Sequence, residues 1–156
     1  MAVSDRAAPT CMARLRAPLV VAIGALLAFE AIGGLVIFWA RLLKGATPGE
    51  ALHVFAGVPL TGLYAAYQWQ HWHRVRPFQP RLDYTLGLIA ATSMALVNLT
   101  GLWLACFWWQ DRVVSSGAGP VSYPALLSAA HNITAMVVVT FVGAHLGAVL
   151  TRSRRI

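Results

Sequence analysis

Residues 47–76 decide the fold of this chain, and they read TPGEALHVFAGVPLTGLYAAYQWQHWHRVR. The stretch is apolar and carries a histidine near each end, His53 and His71, which are 18 residues apart. At about 100° per residue this spacing is five whole helical turns, so an ideal helix presents both imidazoles on one face. They are roughly 27 Å apart along the axis, close to the thickness of a bilayer core. The stretch therefore predicts a membrane-spanning helix with one imidazole near each surface.

A second apolar span near the C-terminus repeats this arrangement with His131 and His145. Their spacing of 14 residues returns to within about 40° of the same helical face and rises roughly 21 Å. Two helices that each carry an upper and a lower histidine can clamp two flat metal macrocycles, one above the other. We call His53 and His131 the upper pair, and His71 and His145 the lower pair.

The chemistry that these pairs predict is haem ligation. Low-spin haem iron takes two neutral imidazoles on opposite faces, which leaves no position open for oxygen. We therefore expect both pairs to be metal ligands for two haem b groups. The haems are expected to be non-covalent, because the sequence has no CxxCH attachment site. His73 turns about 200° away from His53 on an ideal helix, so it is the backup ligand for His71.

The composition indicates a membrane protein. The chain is 58% hydrophobic and only 11% charged, whereas soluble domains carry roughly 25% charged residues. A chain of 156 residues cannot bury that much apolar surface in one soluble core. The net charge is +7, but the basic residues flank apolar spans, so we expect a lipid bilayer and no nucleic acid as partner. Cys11 in the polar tail and Cys106 in a span are not expected to form a disulfide.

The apolar pattern predicts one all-α membrane domain, residues 1–156, a bundle of four transmembrane helices at about 18–40, 48–74, 82–109 and 123–150. Thr47, Pro48 and Glu50 predict the start of the second helix, as N-cap, first helical residue and capping box. The two tails and the 74–81 loop hold nine Lys and Arg, and the two opposite loops hold three. The positive-inside rule therefore predicts that both termini are cytoplasmic. The second and fourth helices then run parallel, which puts each histidine pair at one level.

A short internal repeat predicts two helical hairpins in the same orientation. GLVIFW (34–39) resembles GLWLACFW (101–108), and each is followed by a loop and a two-histidine helix. Such parallel repeats are related by an axis along the membrane normal. Within the first hairpin, Gly57 follows His53 by four residues and is expected to remove bulk beside this cofactor ligand.

Glu30 is the only acidic residue well inside a predicted span. An ionisable group at that depth is costly and usually faces the bundle interior. It is either a structural group that hydrogen-bonds a polar neighbour such as Asn98, or a catalytic group that exchanges protons beside a haem or a quinone. Both interpretations stay open on the sequence alone.

Three motifs carry a family resemblance. LHVFAG (52–57), with a later histidine in the same helix, resembles the small haem b membrane subunits of respiratory oxidoreductases. RLD (81–83), LTG (99–101) and the helix that follows look like the bacterial DUF4405-type cytochrome b hairpin. The last helix is also similar to the haem-binding helices of cytochrome bc complexes, whose two histidines are spaced as His131 and His145 are. The resemblance covers the chain from Pro18 to Arg152.

This resemblance implies bis-histidine haem b and electron transfer between the quinone pool and a partner redox subunit. The expected location is the bacterial cytoplasmic membrane, and the expected role is that of an electron-transfer subunit of a larger oxidoreductase. Two other function classes remain open. One is a haem-free membrane anchor for a soluble enzyme, and the other is a small proton or ion transporter that uses Glu30 and the histidines.

Overall fold

The computed structural model describes residues 17–74 and 82–153, and within these ranges the regular structure is entirely helical. The elements are α1 (Pro18–Lys44), α2 (Glu50–Arg74), α3 (Leu82–Trp109) and α4 (Ala125–Ser153). A π-helical turn, Gln110–Val114, continues α3 where the sequence indicated a loop. The predicted all-α class is confirmed. The polar N-terminal tail with Cys11 and most of the basic 74–81 loop lie outside the described residues.

Three helices in the described part of the chain are long and apolar enough to cross a membrane. They cover Pro18–Lys44, Leu82–Val114 and Ala125–Thr151. Large apolar side chains such as Leu43 and Leu126 are exposed along them, as expected of surfaces that face lipid rather than water. These helices indicate a membrane location. Helix α2 is more polar, so its crossing of the membrane, and the side on which the termini lie, remain predictions.

The helix ends differ from the predicted bounds where glycines reverse the chain. Helix α1 continues to Lys44 and ends at Gly45, whose φ of +64° gives a left-handed cap. Gly49 has φ of +74°, so α2 begins at Glu50, two residues later than predicted. The predicted capping residues do contact each other, because Thr47 Oγ1 donates to Glu50 Oε2 at 3.1 Å. Helix α4 begins after Pro124 at Ala125.

Two antiparallel hairpins, α1–α2 and α3–α4, meet in a small core. Leu60, Met94 and Val138 are buried at its centre and come from α2, α3 and α4. Leu26 and Leu27 of α1 pack against them. This core lies along the helices between the upper and the lower histidines, so the two ends of the bundle are left for polar groups.

Candidate functional site

The structure brings the upper pair together from different hairpins. His53 comes from α2 and His131 from α4, and their ring centroids are 6.3 Å apart. The ring planes are nearly perpendicular, at 81°. The pairing of these two histidines was predicted from charge counts and helix parity, and here it arises from the packing of the two hairpins.

A glycine supports each upper histidine from the other helix of its own hairpin. A Cβ on Gly34 would lie 3.2 Å from His53 Cε1, and a Cβ on Gly101 would lie 3.1 Å from His131 Cε1. Both distances are shorter than a comfortable carbon contact. The glycines therefore give room to the histidine rings and let the paired helices approach closely. They are the first residues of the two repeated segments.

An oxygen atom lies behind each upper imidazole. His53 Nδ1 is 2.6 Å from Glu30 Oε2, although the ring N–H is not aligned with that oxygen as a hydrogen bond. His131 Nδ1 is 3.2 Å from Thr100 Oγ1. This hydroxyl donates its own proton to the Leu96 carbonyl at 2.8 Å, so it accepts from the His131 Nδ1–H. Each Nδ1 thus faces oxygen.

Glu30 contacts His53 of the upper pair and not Asn98, the partner suggested by its depth in the membrane. Its side chain is only 10% exposed, and its Oε1 has no hydrogen-bond partner among the described residues. Gly57 faces this carboxyl group, since a Cβ there would lie 3.8 Å from Glu30 Oε2. This is an ordinary contact distance, so the expected role of Gly57 beside the cofactor remains a prediction. Asn98 lies elsewhere, in a groove between α2 and α3 beside Tyr64.

Each lower histidine has a contact with a residue of its own hairpin. His145 Nδ1 is 2.8 Å from the Asp83 carbonyl oxygen, and a Cβ on Gly87 would lie 2.8 Å from His145 Cε1. His71 stacks on Tyr67 of its own helix, with ring centroids 5.4 Å apart. The second hairpin therefore contains the same contact twice, with a glycine of α3 packed against a histidine of α4.

His73, the backup ligand, is bound to its own helix. It is exposed, and its Nδ1 lies 2.7 Å from the Trp69 carbonyl oxygen four residues earlier. Its ring also packs on the Trp69 indole, at 4.7 Å between centroids. The choice between His71 and His73 remains a prediction.

A buried carboxylate closes the upper end of the bundle. Glu50, in the first turn of α2, is 8% exposed. Tyr123 donates its hydroxyl proton to Glu50 Oε1 at 2.8 Å, while Glu50 Oε2 accepts from Thr47 and lies 4.0 Å from Arg112 Nη2. Burial, followed by this hydrogen bond, raises the pKa of the Tyr123 hydroxyl above its ordinary value.

Arg41, near the end of α1, also contacts the segment that carries Tyr123. Its Nη2 donates to the Val121 carbonyl at 3.1 Å, and its guanidinium lies over the Tyr123 ring, 5.2 Å from the centroid. A cation over an aromatic face is attracted by the ring quadrupole. Val121 is itself buried, at 2% exposure, so the segment before α4 is held against both α1 and α2.

Sequence reasoning missed three features of this site. It gave Glu50 only a capping role, and it gave no role to Tyr123 or to the glycine–histidine contacts. The repeat of Gly34 and Gly101 was a usable signal for those contacts. The Tyr123–Glu50 bond joins residues 73 positions apart, so no local pattern could have indicated it.

No group of three or more His, Cys, Asp or Glu side chains in the described part of the chain is arranged to hold a metal ion. The upper pair places two imidazoles close together, and histidine is a common ligand of haem iron. Comparison with protein-family models, with curated proteins and with solved structures gives no match for this chain.

Proposed function

We propose that this protein is a membrane-bound b-type cytochrome subunit, which transfers electrons across the membrane through bis-histidine haems. The observation that carries the proposal is the upper pair. Two imidazoles from different hairpins face each other inside a membrane protein, with glycine on one side of each ring and an oxygen at each Nδ1. Placing ionisable side chains inside a membrane costs free energy, and such residues commonly mark functional sites.

The two upper imidazoles come from different hairpins and lie close together, with ring centroids 6.3 Å apart. Haem iron is commonly ligated by histidine, so the proximity of these two histidines supports the haem proposal.

The chain's own residues orient the ligands. An Nδ1–H that faces an oxygen fixes the tautomer in which Nε2 carries the free lone pair. Thr100 does this for His131, and Glu30 is placed to do it for His53 after a small rotation of the soft imidazole torsion. Bound haem would supply one-electron chemistry, and the surrounding apolar helices would exclude water from it.

A second haem at the lower pair is part of the same proposal. Its support is the contact of Gly87 with His145, which repeats that of Gly101 with His131 in the same hairpin. The Asp83 carbonyl is the oxygen behind His145 Nδ1. This arrangement needs α2 to span the membrane beside α4, as the fourth transmembrane helix.

A quinone is the electron partner that we propose within the bilayer. A cavity of about 500 Å³ lies between the end of α1 and the start of α4. Arg41, Ser128 and Asn132 line it with polar groups, and Phe38 lines it with an apolar ring. Replacing Asn132→Leu should slow haem reduction by quinol without changing the haem spectrum. Asn98→Leu, in the groove between α2 and α3, is the matched control and should have no effect.

The deciding experiment is a reduced-minus-oxidised spectrum of the purified protein with a pyridine haemochrome assay. Two haems per chain are expected, with the spectrum of low-spin b-type haem. A chain without any b-type signal, purified from haem-sufficient cells, would overturn the proposal and leave the haem-free anchor and the small transporter as the alternatives. A ratio of one haem per chain would leave only one level occupied, and we expect that level to be the upper pair.

A further inference from the structure

The two hairpins are joined by side chains at the upper end of the bundle. Tyr123 precedes α4 and binds Glu50 of α2, and Arg112 of the π-helical turn approaches the same carboxylate at 4.0 Å. Arg41 of α1 binds the Val121 carbonyl. Every one of these contacts crosses from the first hairpin to the second. We call Glu50, Tyr123 and Arg41 the clasp.

The clasp lies close in sequence to both upper histidines. Glu50 is three residues before His53, and Tyr123 is eight residues before His131. Three residues are nearly one helical turn, and Tyr123 lies two residues before α4, which begins at Ala125 and carries His131 in its second turn. A bond between Glu50 and Tyr123 therefore fixes one helix against the other just above the point where the two imidazoles meet.

The environment of Glu50 is not that of an ordinary helix cap. A cap side chain satisfies the free N–H groups of the first turn and normally stays in contact with water. Glu50 is 8% exposed, and one of its two oxygens is taken by Tyr123 of the other hairpin. Hydrogen bonds to a charged acceptor are among the stronger ones, and a buried carboxylate that loses its donor is destabilised.

We propose that Glu50 and Tyr123 are positioning residues that set the separation of His53 and His131. The inference rests on the proposed haem function for its purpose, but the positioning itself is a property of the protein. The lower pair, which is held by contacts within each hairpin, should not depend on the clasp.

The experiment measures the distance between the hairpins with and without the clasp. Spin labels are placed at Leu52→Cys on α2 and Leu126→Cys on α4, two exposed positions, in a Cys11→Ser, Cys106→Ser background. The variants are Tyr123→Phe, Glu50→Ala and Glu50→Gln. Tyr64→Phe, which removes a hydroxyl between α2 and α3, is the matched control. Label distances are recorded on the full chain in detergent, before and after haem extraction.

A narrow distance distribution is expected for the wild type, for Tyr64→Phe and for Glu50→Gln, whose amide oxygen still accepts from Tyr123. Tyr123→Phe should broaden the distribution, and Glu50→Ala should broaden it further and lose the upper haem while the lower haem stays. Unchanged distances in both Tyr123→Phe and Glu50→Ala would overturn the clasp. If the chain binds no haem, the proposed function is wrong. The role of the clasp is still tested in that case, because the label distances are also measured without haem.

Discussion

The upper and lower ends of this bundle contain the same residue types but position them differently. At the upper end, His53 and His131 meet across the two hairpins, and a buried carboxylate joins those hairpins just above them. At the lower end, His145 is held by the Asp83 carbonyl and His71 by Tyr67. The histidines of the upper pair therefore depend on how the hairpins pack, whereas those of the lower pair depend on local contacts.

Because of this difference, the packing between the hairpins and the contacts within each hairpin can be tested separately. A substitution that loosens the packing of the hairpins should disturb the upper pair first, because its partners come from different hairpins. A substitution inside one hairpin should disturb a single histidine at either level. Spectra that resolve the two proposed haems are therefore the measurement to use, since each level serves as the internal control for the other.

Removing a histidine gives the largest expected effect. His131→Ala should abolish the upper haem and leave the lower haem, and His145→Ala should do the reverse. The reason is that the proposed haem would lose one of its two histidine ligands, and alanine offers no replacement. Haem content per chain should fall by half in each variant, measured by pyridine haemochrome assay and by low-temperature electron paramagnetic resonance. Loss of both signals from either single variant would show that the levels do not bind haem independently.

The next comparison decides whether His71 or His73 of α2 is the ligand in the lower pair. His71→Ala should remove the lower haem, whereas His73→Ala should leave the spectrum intact, because His73 is exposed and already bound to the Trp69 carbonyl. The reverse result would mean that α2 is turned relative to an ideal helix below Pro59. Redox difference spectra of the two variants, purified side by side, distinguish the outcomes.

The glycines that support the rings should give an intermediate effect. A methyl group at Gly101 would lie 3.1 Å from His131 Cε1, so the ring must shift or the helices must separate. Overpacking of this kind costs about 1–3 kcal/mol, and we expect Gly101→Ala to lower the affinity for the upper haem. Gly143→Ala is the control, because a Cβ there meets no atom within 4 Å. Haem retention during detergent washing measures the difference.

The helical class, the apolar spans and the meeting of His53 with His131 could be predicted from the sequence. Each of these depends on hydrophobic periodicity, charge distribution and spacing along one helix, which are local properties. The prediction that His53 and His71 share one face of α2 assumes an ideal helix, but Pro59 lies inside α2 between them. Proline removes one backbone hydrogen bond and can bend a helix, so counting ideal turns across it is not reliable.

Apart from the upper pair, the sequence could not indicate which side chains meet between different helices. Glu30 was matched by depth to Asn98, but its carboxyl group faces His53 instead. Depth alone leaves the rotation of α1 open, and the close approach at Gly34 fixes it. The Tyr123–Glu50 bond depends on the course of a segment that carries no periodic pattern.

Glu30→Gln should give a smaller effect that is confined to the upper level. A carboxylate behind a ligand imidazole increases its donor strength, so its removal should raise the midpoint potential of the upper haem and leave the lower one unchanged. Potentiometric titration with resolved spectra measures both values in one sample. Haem reduction by quinol, followed in the same variant, tests the catalytic role: slower reduction with normal haem content would assign proton exchange to Glu30, and an unchanged rate would leave it a structural role.

The smallest expected effect is a change of stability with pH at the upper end. The pKa of the Tyr123 hydroxyl is raised above 10.0 by burial and by its bond to Glu50, so the folded protein holds this proton more tightly than the unfolded chain does. The stabilisation is therefore complete below about pH 10 and is lost as pH rises through the folded pKa. Above about pH 10, the midpoint temperature of unfolding should fall more steeply for wild type than for Tyr123→Phe, which has no phenolic proton. The lower pair provides the comparison within the same molecule, since alkaline conditions should weaken the upper haem signal before the lower one. Parallel slopes for the two proteins would show that Tyr123 makes its bond to Glu50 without contributing to stability.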